Sequence, residues 1–229
     1  PHESFDRANI KDVFSLDDAA LNQRLVKIRA KLKSVRDQSR VIPKDDKRLT
    51  GWNGLALAAL ASGNDVHPEF KQAGKQLYQF IDTQLWRNGE LVKAIDKQDR
   101  SLGKGGLFDY AAVAYGIARW AETNNNDTAM GLAHKIINAG WDKFYSIKGW
   151  RQSEEELLPN PVYQRHIRDG ALPSSEGLLI RATTILLRTI KDSTLKNKLD
   201  ALISTGSKSV ENEPFYFGSL ISAAVSTTE

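Results

Sequence analysis

Several polar and aromatic residues stand just before, or in the first turn of, segments that are apolar enough to be buried helices. They are Asp45, Asp46, Lys47, Trp52, Asn53, Asp109, Tyr110, Asp169 and Ser174. If these helices run in one direction, their N-termini meet at one end of the fold and these side chains line one cavity. Paired carboxylates serve acid/base and glycosidic chemistry. We therefore predict Asp109 and Asp169 as catalytic acid/base residues and the others as substrate-binding residues, with Trp52 and Tyr110 stacking on a sugar ring.

A structural interpretation competes for every one of these residues. Asp, Asn and Ser are preferred at helix N-termini, where their side chains accept hydrogen bonds from backbone amides. The two interpretations diverge at Asn53. A ligand-binding Asn53 would point into the cavity, so Asn53→Ala would abolish ligand binding and change stability by less than about 1 kcal/mol. If Asn53 is instead a structural cap, Asn53→Ala would lower stability by several kcal/mol and leave ligand affinity unchanged.

Among the histidines, we assign only His166 to the site, because it lies in a long loop beside Asp169. His67, before Pro68 at a helix start, and His134, within an outer helix, are predicted to be structural. No two histidines have the spacing of metal ligands. The GxGxxG, GxxxxGK[ST], HExxH and GxSxG motifs are absent from the sequence. We predict no metal and no cofactor.

The composition excludes several classes of protein. The 229 residues contain no cysteine, which rules out disulfides, thiolate metal ligands and a cysteine nucleophile within this chain. The net charge of +4 is spread among interspersed charges, and the densest basic stretch, from Arg24 to Arg40, is typical of a solvated helix face, with nucleic-acid binding as the weaker alternative. No apolar run reaches the roughly 18 residues of a membrane span, and the N-terminus has no signal-peptide core. We expect a cytoplasmic protein without nucleic-acid or membrane partners.

The elements predicted to position the site repeat a helical hairpin. The segments Thr50 to Gly63, Gly106 to Glu122 and 174–190 are apolar on most faces, as expected of buried helices. Each is followed by an amphipathic helix, and Phe215 to Val225 resembles a fourth buried helix. This alternation is typical of an α-solenoid or of an (α/α) toroid, which is a solenoid closed into a ring. Long polar and aromatic excursions between the hairpins favour the toroid.

Shorter elements complete the prediction. Ser15 and Asp18 resemble a capping box, in which each side chain caps the other's backbone amide. It would open a helix whose apolar stripe contains Leu21, Leu25, Ile28, Leu32 and Val35 and which stops before Ile42. Glu90 to Ala94 is predicted as a short strand, and residues 144–151 as a β-hairpin.

Three ordered motifs resemble the YyaL-type family, which includes spermatogenesis-associated protein 20. The first is DDKRLTGWNGLALAALA, from Asp45 to Ala61, which is similar to the family segment DDK-x-x-x-x-WNGL. LFDYAAVAYGIARWAE is similar to the family helix that begins DDYA, and RDGALPSS, from Arg168 to Ser175, to the segment DGA-x-PSGNS. Gly51, Phe108 and Ser175-Glu176 depart from the family pattern. Phe108 stands where the family pattern has the first acid of DDY. The loss of this carboxylate argues against a mechanism that uses two acids at the start of this helix.

The resemblance implies a fold more firmly than a reaction. Family members carry a thioredoxin-like domain followed by a six-hairpin (α/α)6 toroid similar to those of glycosidases and N-acylglucosamine 2-epimerase. We therefore predict an all-α single domain over residues 1–229, the C-terminal part of such a toroid with minor β-hairpins. Three or four hairpins cannot close a six-hairpin ring, so we expect a fragment of a longer chain whose partners are the other hairpins and the thioredoxin-like domain.

Two functions remain open at this stage. One is a carbohydrate-active enzyme, a hydrolase or an epimerase, that binds a sugar or another small molecule. The other is a non-catalytic toroid that binds a ligand or a protein and serves a redox partner domain. Two carboxylates across an open cleft would favour a glycosidase-type enzyme, whereas carboxylates occupied by backbone caps would favour the binding function.

Overall fold

A computed structural model describes residues 6–39, 43–155 and 162–227 of the chain. Contacts divide the chain into two compact units, Pro1–Asp45 and Asp46–Glu229, and each is described by itself. The helix stop predicted at Ile42 lies outside the described residues. The single domain over residues 1–229 stays a prediction.

The described part of the N-terminal unit contains helices α1 (Arg7–Phe14) and α2 (Asp18–Ser39). The predicted apolar stripe of α2 is mostly unburied. Leu21 is buried, whereas three members of the stripe are about half exposed: Ile28, Leu32 and Val35. The apolar face of α2 therefore contributes little to a core within this unit.

The predicted capping box at the start of α2 is wrong. Ser15 ends α1 instead, in a left-handed conformation with φ of 52°. The cap of α2 is Asp17, whose Oδ1 accepts a hydrogen bond from the Ala20 amide at 2.7 Å. A side chain in the left-handed region closes a helix rather than opens one, which is why the Ser-x-x-Asp spacing misleads here.

The second unit consists of helical hairpins with short strands between them. Its helices are α3 (Thr50–Ser62), α4 (Pro68–Phe80), α5 (Leu107–Asn124), α6 (Asp127–Phe144), α7 (Ser175–Leu187), α8 (Ser193–Asn212) and α9 (Gly218–Ser226). A π-helical turn, Ile81–Leu85, extends α4, and a 3-10 turn, Pro214–Phe217, precedes α9. The fourth buried helix therefore begins later than the sequence predicts.

The mostly apolar helices form an inner row. Helix α3 packs against α5, α5 against α7, and α7 against α9, while α4, α6 and α8 lie on the flanks of this row. Since each outer helix returns the chain to the same end, the inner helices run parallel and present their N-termini together. The all-α architecture with alternating inner and outer helices confirms the predicted hairpin repeat.

Close helix packing holds α3 and α5 in register. A Cβ atom added to Gly116 would lie 2.2 Å from the backbone oxygen of Gly54, and one added to Gly54 would lie 2.5 Å from the backbone of Ala112. No side chain fits at either position, so the two backbones touch. This contact fixes the relative height of the two helix N-termini, where the predicted site residues lie.

The strands are confined to excursions between hairpins. They are β1 (Arg48–Leu49), β2 (Trp86–Arg87), β3 (Glu90–Leu91), β4 (Ala94–Ile95), β5 (Tyr145–Ser146) and β6 (Gly149–Trp150). β5 and β6 form the predicted hairpin, β2 pairs with β3, and β1 pairs with β4, all antiparallel. The pairing of β1 with β4 ties the loop before α3 to the excursion before α5.

Two kinds of feature are absent from the described residues. No helix within residues 6–39, 43–155 and 162–227 has both the length and the apolar character needed to cross a bilayer. The same residues contain no group of three or more His, Asp or Glu side chains placed to hold a metal ion.

Candidate functional site

Asp109 lies in the first turn of α5, and both of its carboxylate oxygens are occupied. Oδ1 accepts a hydrogen bond from the Gly51 amide at 3.0 Å, which ties α5 to the first turn of α3. Oδ2 accepts bonds from the Gly106 amide and from the Lys93 ammonium, both at 2.9 Å. The residue is only 2 % exposed. Asp109 therefore joins two inner helices and one excursion.

Asp169 has the same role between α7 and α9. Its Oδ1 accepts a hydrogen bond from the Ser174 amide at 2.8 Å, and its Oδ2 one from the Ser219 amide at 2.7 Å. Burial alone raises the pKa of this carboxyl, but the hydrogen bonds from Ser219 and Ser174 outweigh burial and lower the pKa below its ordinary value. With all four oxygens of Asp109 and Asp169 bound to backbone amides, the geometry is that of structural caps and opposes an acid/base pair.

The lowered pKa of Asp169 gives a pH-dependent prediction. A carboxyl whose pKa is lower in the folded state stabilises the fold above its unfolded pKa, and this contribution is lost as the pH falls through the folded pKa. We expect Asp169→Asn to destabilise the chain at neutral pH, and the difference from the original protein to shrink below pH ~4. Urea unfolding between pH 7 and pH 3 measures this difference. Asp200→Asn, at an exposed residue, is the matched control, and a pH-independent effect of Asp169→Asn would contradict the assignment.

Tyr110 cannot be the stacking platform that the sequence predicts, because it is only 1 % exposed. Its hydroxyl accepts a hydrogen bond from the Leu91 amide at 3.0 Å, and its ring packs edge-on against Trp86 and Phe144. Burial raises the pKa of the phenol. Tyr110 anchors the excursion to α5 and presents no face to a ligand.

The polar residues at the other helix starts divide between exposed and capping positions. Trp52 is 57 % exposed on α3, so its ring remains accessible for stacking. Asn53 donates from Nδ2 to the Leu49 carbonyl at 2.7 Å, a bond to the residue that directly precedes its own helix. Ser174 is buried and caps α7 by accepting a hydrogen bond from the Gly177 amide.

The acidic loop before α3 has no regular structure between residues 43 and 47. Asp45 closes the N-terminal unit, while Asp46 and Lys47 open the second unit and lead into β1. Asp45 and Lys47 are exposed and Asp46 is half-buried. Their substrate-binding role stays a prediction.

His166 is the sequence-predicted residue with the most distinctive environment. Its side chain is 2 % exposed, and Nδ1 lies 2.9 Å from Oε1 of Glu176, a fully buried residue in the first turn of α7. Oε2 of Glu176 accepts a hydrogen bond from the Ile167 amide at 2.7 Å. Because a carboxylate can only accept hydrogen bonds, this contact assigns a proton to Nδ1, and in the neutral ring Nε2 then has the lone pair. Nε2 is buried and has no hydrogen-bond partner among the described residues.

A cavity of about 700 Å³ lies beside His166. Its other lining residues are Gln152, Gln164, Arg165, Ile167, Arg168, Asn212, Glu213 and Phe217. The wall is mostly polar, with amide, guanidinium and carboxylate groups in one concave surface. The backbone of Gln152 accepts a hydrogen bond from the Leu107 amide, so this cavity is tied to the N-terminus of α5.

The remaining described histidines have the structural roles predicted for them. His67 caps α4, since its Nδ1 accepts a hydrogen bond from the Glu69 amide. Nε2 of His134 lies 2.9 Å from Oδ2 of Asp192, joining α6 to the turn before α8.

Sequence reasoning missed Glu176 and Lys93. Glu176 stands where the motif departs from the resembled family, and an acidic residue in the first turn of a helix is ordinarily explained by the helix dipole. One signal for Glu176 was available in the sequence. The helix that it opens is apolar on most faces and is therefore buried, and a buried carboxylate requires hydrogen-bond or charged partners. Lys93 lies between hairpins, in a segment with no recognisable motif. No sequence pattern therefore predicted its ion pair with Asp109.

Comparison with known proteins supports the fold. No family model matches the chain, and no curated protein matches it. Solved structures do match. They include a sugar epimerase from a ruminal bacterium (14 % identity, TM-score 0.56, 71 % of this chain and 44 % of that chain) and the cellobiose 2-epimerase from Bacillus thermoamylovorans (15 %, 0.56, 71 % and 45 %).

The cellobiose 2-epimerase from Spirochaeta thermophila gives the same picture, at 16 % identity and a TM-score of 0.56 over 71 % of this chain and 43 % of that one. At such low identity the likeness establishes the fold alone, which is the predicted six-hairpin toroid type. The chain spans less than half the length of these three structures.

Proposed function

We propose that this chain supplies a proton-transfer residue to a carbohydrate-active toroid of the epimerase or isomerase type. The observation that carries the proposal is the buried His166–Glu176 pair beside a polar cavity. A carboxylate that holds one imidazole nitrogen leaves the other as a general base, and this arrangement recurs in enzymes that move protons. The toroid fold shared with sugar epimerases makes a sugar the first ligand class to test.

The chemistry follows from the tautomer. With its proton on Nδ1, His166 would accept at Nε2 the proton on the carbon next to the carbonyl of an open-chain sugar. The electron pair of the broken C–H bond would pass to the carbonyl oxygen, giving an enediolate, and Glu176 would stabilise the imidazolium. Return of the proton to the same carbon restores the original carbonyl. Return to the former carbonyl carbon, with the proton of the neighbouring hydroxyl moving to the former carbonyl oxygen, gives the isomer. Inversion at that carbon also needs proton return to the opposite face. A second group for that step would come from the part of the protein that this chain does not span.

Nε2 is covered in the structure, so the proposed reaction requires a local movement that exposes this nitrogen to the ligand. A buried imidazole nitrogen without a partner costs free energy. A ligand hydroxyl or a water molecule that reaches Nε2 would remove this cost, so the unpaired nitrogen is consistent with a binding role. Trp52 remains our predicted stacking residue.

The alternative is a non-catalytic binding toroid, and one observation favours it. Asp109 and Asp169 are occupied by backbone amides, which removes the two carboxylates on which a hydrolase depended. The remaining hairpins and the thioredoxin-like partner are expected from the family resemblance alone, and both stay predictions.

A sugar panel separates the two functions. The full-length protein is mixed with reducing mono- and disaccharides, including cellobiose, and with sugar phosphates. Binding is measured by thermal shift and turnover by NMR. We expect at least one sugar to bind and to undergo epimerisation or isomerisation. Binding without turnover would favour the non-catalytic toroid, and hydrolysis of a glycosidic bond would contradict the proposed reaction class.

A further inference from the structure

A second cavity, of about 310 Å³, lies between the inner helices α5, α7 and α9. It is lined by Tyr115, Arg119, Arg181, Thr184, Ile185, Arg188 and Ser226. Three of these seven side chains are arginines, and none is acidic. The cavity shares no lining residue with the one beside His166.

Two of the arginines share a single carboxylate. Nη1 of Arg119 and Nη1 of Arg188 each lie 3.0 Å from an oxygen of Glu122, which joins α5 to α7. The single negative charge of Glu122 therefore pairs with two guanidinium groups and neutralises only one of their two positive charges. Arg188 also stands at the C-terminal end of α7, where the helix dipole favours a cation.

Arg181 is the residue that the helix dipole does not explain, because it lies in the middle of α7. It is half-buried, and its Nη2 donates a hydrogen bond to the neutral hydroxyl of Ser222 on α9. Its Nε is buried without a hydrogen-bond partner among the described residues. Within the described residues Arg181 forms no ion pair, so the cavity has a surplus of two positive charges over Glu122.

We propose that this cavity binds the phosphate group of a small molecule. Arginine presents several donors in a planar fork that matches phosphate oxygens, and such pairs are stronger than hydrogen bonds between neutral groups. The volume is at the lower end of that of ordinary small-molecule pockets, roughly 300 to 1,000 Å³. The hydroxyl of Tyr115 adds one more possible donor. The inference rests on the arginine cluster and is independent of the chemistry at His166.

Titration of the 229-residue chain with inorganic phosphate tests this proposal. Calorimetry at constant ionic strength, with acetate as the comparison anion, is expected to show one phosphate site and much weaker acetate binding. Arg181→Gln is expected to weaken phosphate binding about tenfold or more. Glu122→Gln is expected to strengthen it, because the substitution frees Arg119 and Arg188 from their carboxylate.

Arg100→Gln is the matched control, since it removes the same charge from an exposed arginine that pairs with Asp96. It is expected to leave phosphate affinity unchanged. Equal weakening by Arg181→Gln and Arg100→Gln would overturn the site, as would phosphate and acetate affinities of the same size. If Arg181→Gln fails to fold, weaker or unchanged phosphate binding by Glu122→Gln would overturn it.

Discussion

Replacing Asp109 by asparagine is expected to lower the free energy of unfolding by about 3 kcal/mol, a large part of the stability of an ordinary domain. The carboxylate accepts hydrogen bonds from two backbone amides and from Lys93. Asparagine has the same shape, but its amide nitrogen would face one of these donors and leave a buried N–H unpaired. We expect the melting temperature to fall by about 6 to 12 °C. Lys93 is half exposed and adds little to this effect.

Asp200→Asn is the control for this measurement, because Asp200 is exposed and forms only a surface pair with Lys196. It is expected to change stability by less than about 0.5 kcal/mol. The opposite outcome is informative. If Asp109→Asn keeps its stability within about 1 kcal/mol but loses sugar turnover, Asp109 is the catalytic residue that its sequence position suggests and the capping assignment fails.

Replacing Glu176 by glutamine is expected to slow proton transfer to a sugar about 100- to 10,000-fold. Glutamine can still accept the Ile167 amide hydrogen, but it then donates its own N–H to Nδ1 of His166. The ring proton would move to Nε2, and His166 would lose the lone pair that acts as the base. Glu176 is thus a positioning residue whose effect is exerted through the tautomer of His166.

Nitrogen-15 NMR of the imidazole ring gives a readout that a merely structural role would not change. We expect the proton of His166 on Nδ1 in the original protein and on Nε2 in Glu176→Gln. Unchanged turnover in a variant whose tautomer has switched would show that His166 is not the base. Thermal unfolding of the same sample distinguishes a local effect from a general loss of the fold.

The repeat of buried and amphipathic helices could be predicted from the sequence because periodicity is a local property. Alanine-rich segments gave α3 and α5 at nearly their observed bounds, and the hairpin formed by β5 and β6 followed from its flanking aromatic residues. The start of α9 was misplaced because Pro214–Phe217 forms a 3-10 turn, and proline suits either kind of helix start.

The candidate site was only partly predictable, because its defining contacts join residues that are distant in the chain. Asp109 and Asp169 do lie at the N-termini of inner helices, and each binds a backbone amide of a neighbouring inner helix, but the site role predicted for the helix-start residues stays a prediction. Residue type alone could not show whether their oxygens face a cavity or backbone amides. Tyr110 illustrates the same limit, since its burial follows from packing against the excursion.

Solvent deuterium exchange at the carbon next to a sugar carbonyl tests the role of His166 most directly. His166→Asn is the appropriate variant, because its side-chain amide can still donate to Glu176 but nothing replaces Nε2. In D2O, with a sugar that binds the full-length protein, we predict rapid exchange by the original protein. The variant is predicted to exchange at least about 100-fold more slowly while showing the same sugar-induced thermal shift. Equal exchange rates for the two proteins, or no exchange by the original protein with any sugar it binds, would contradict the account.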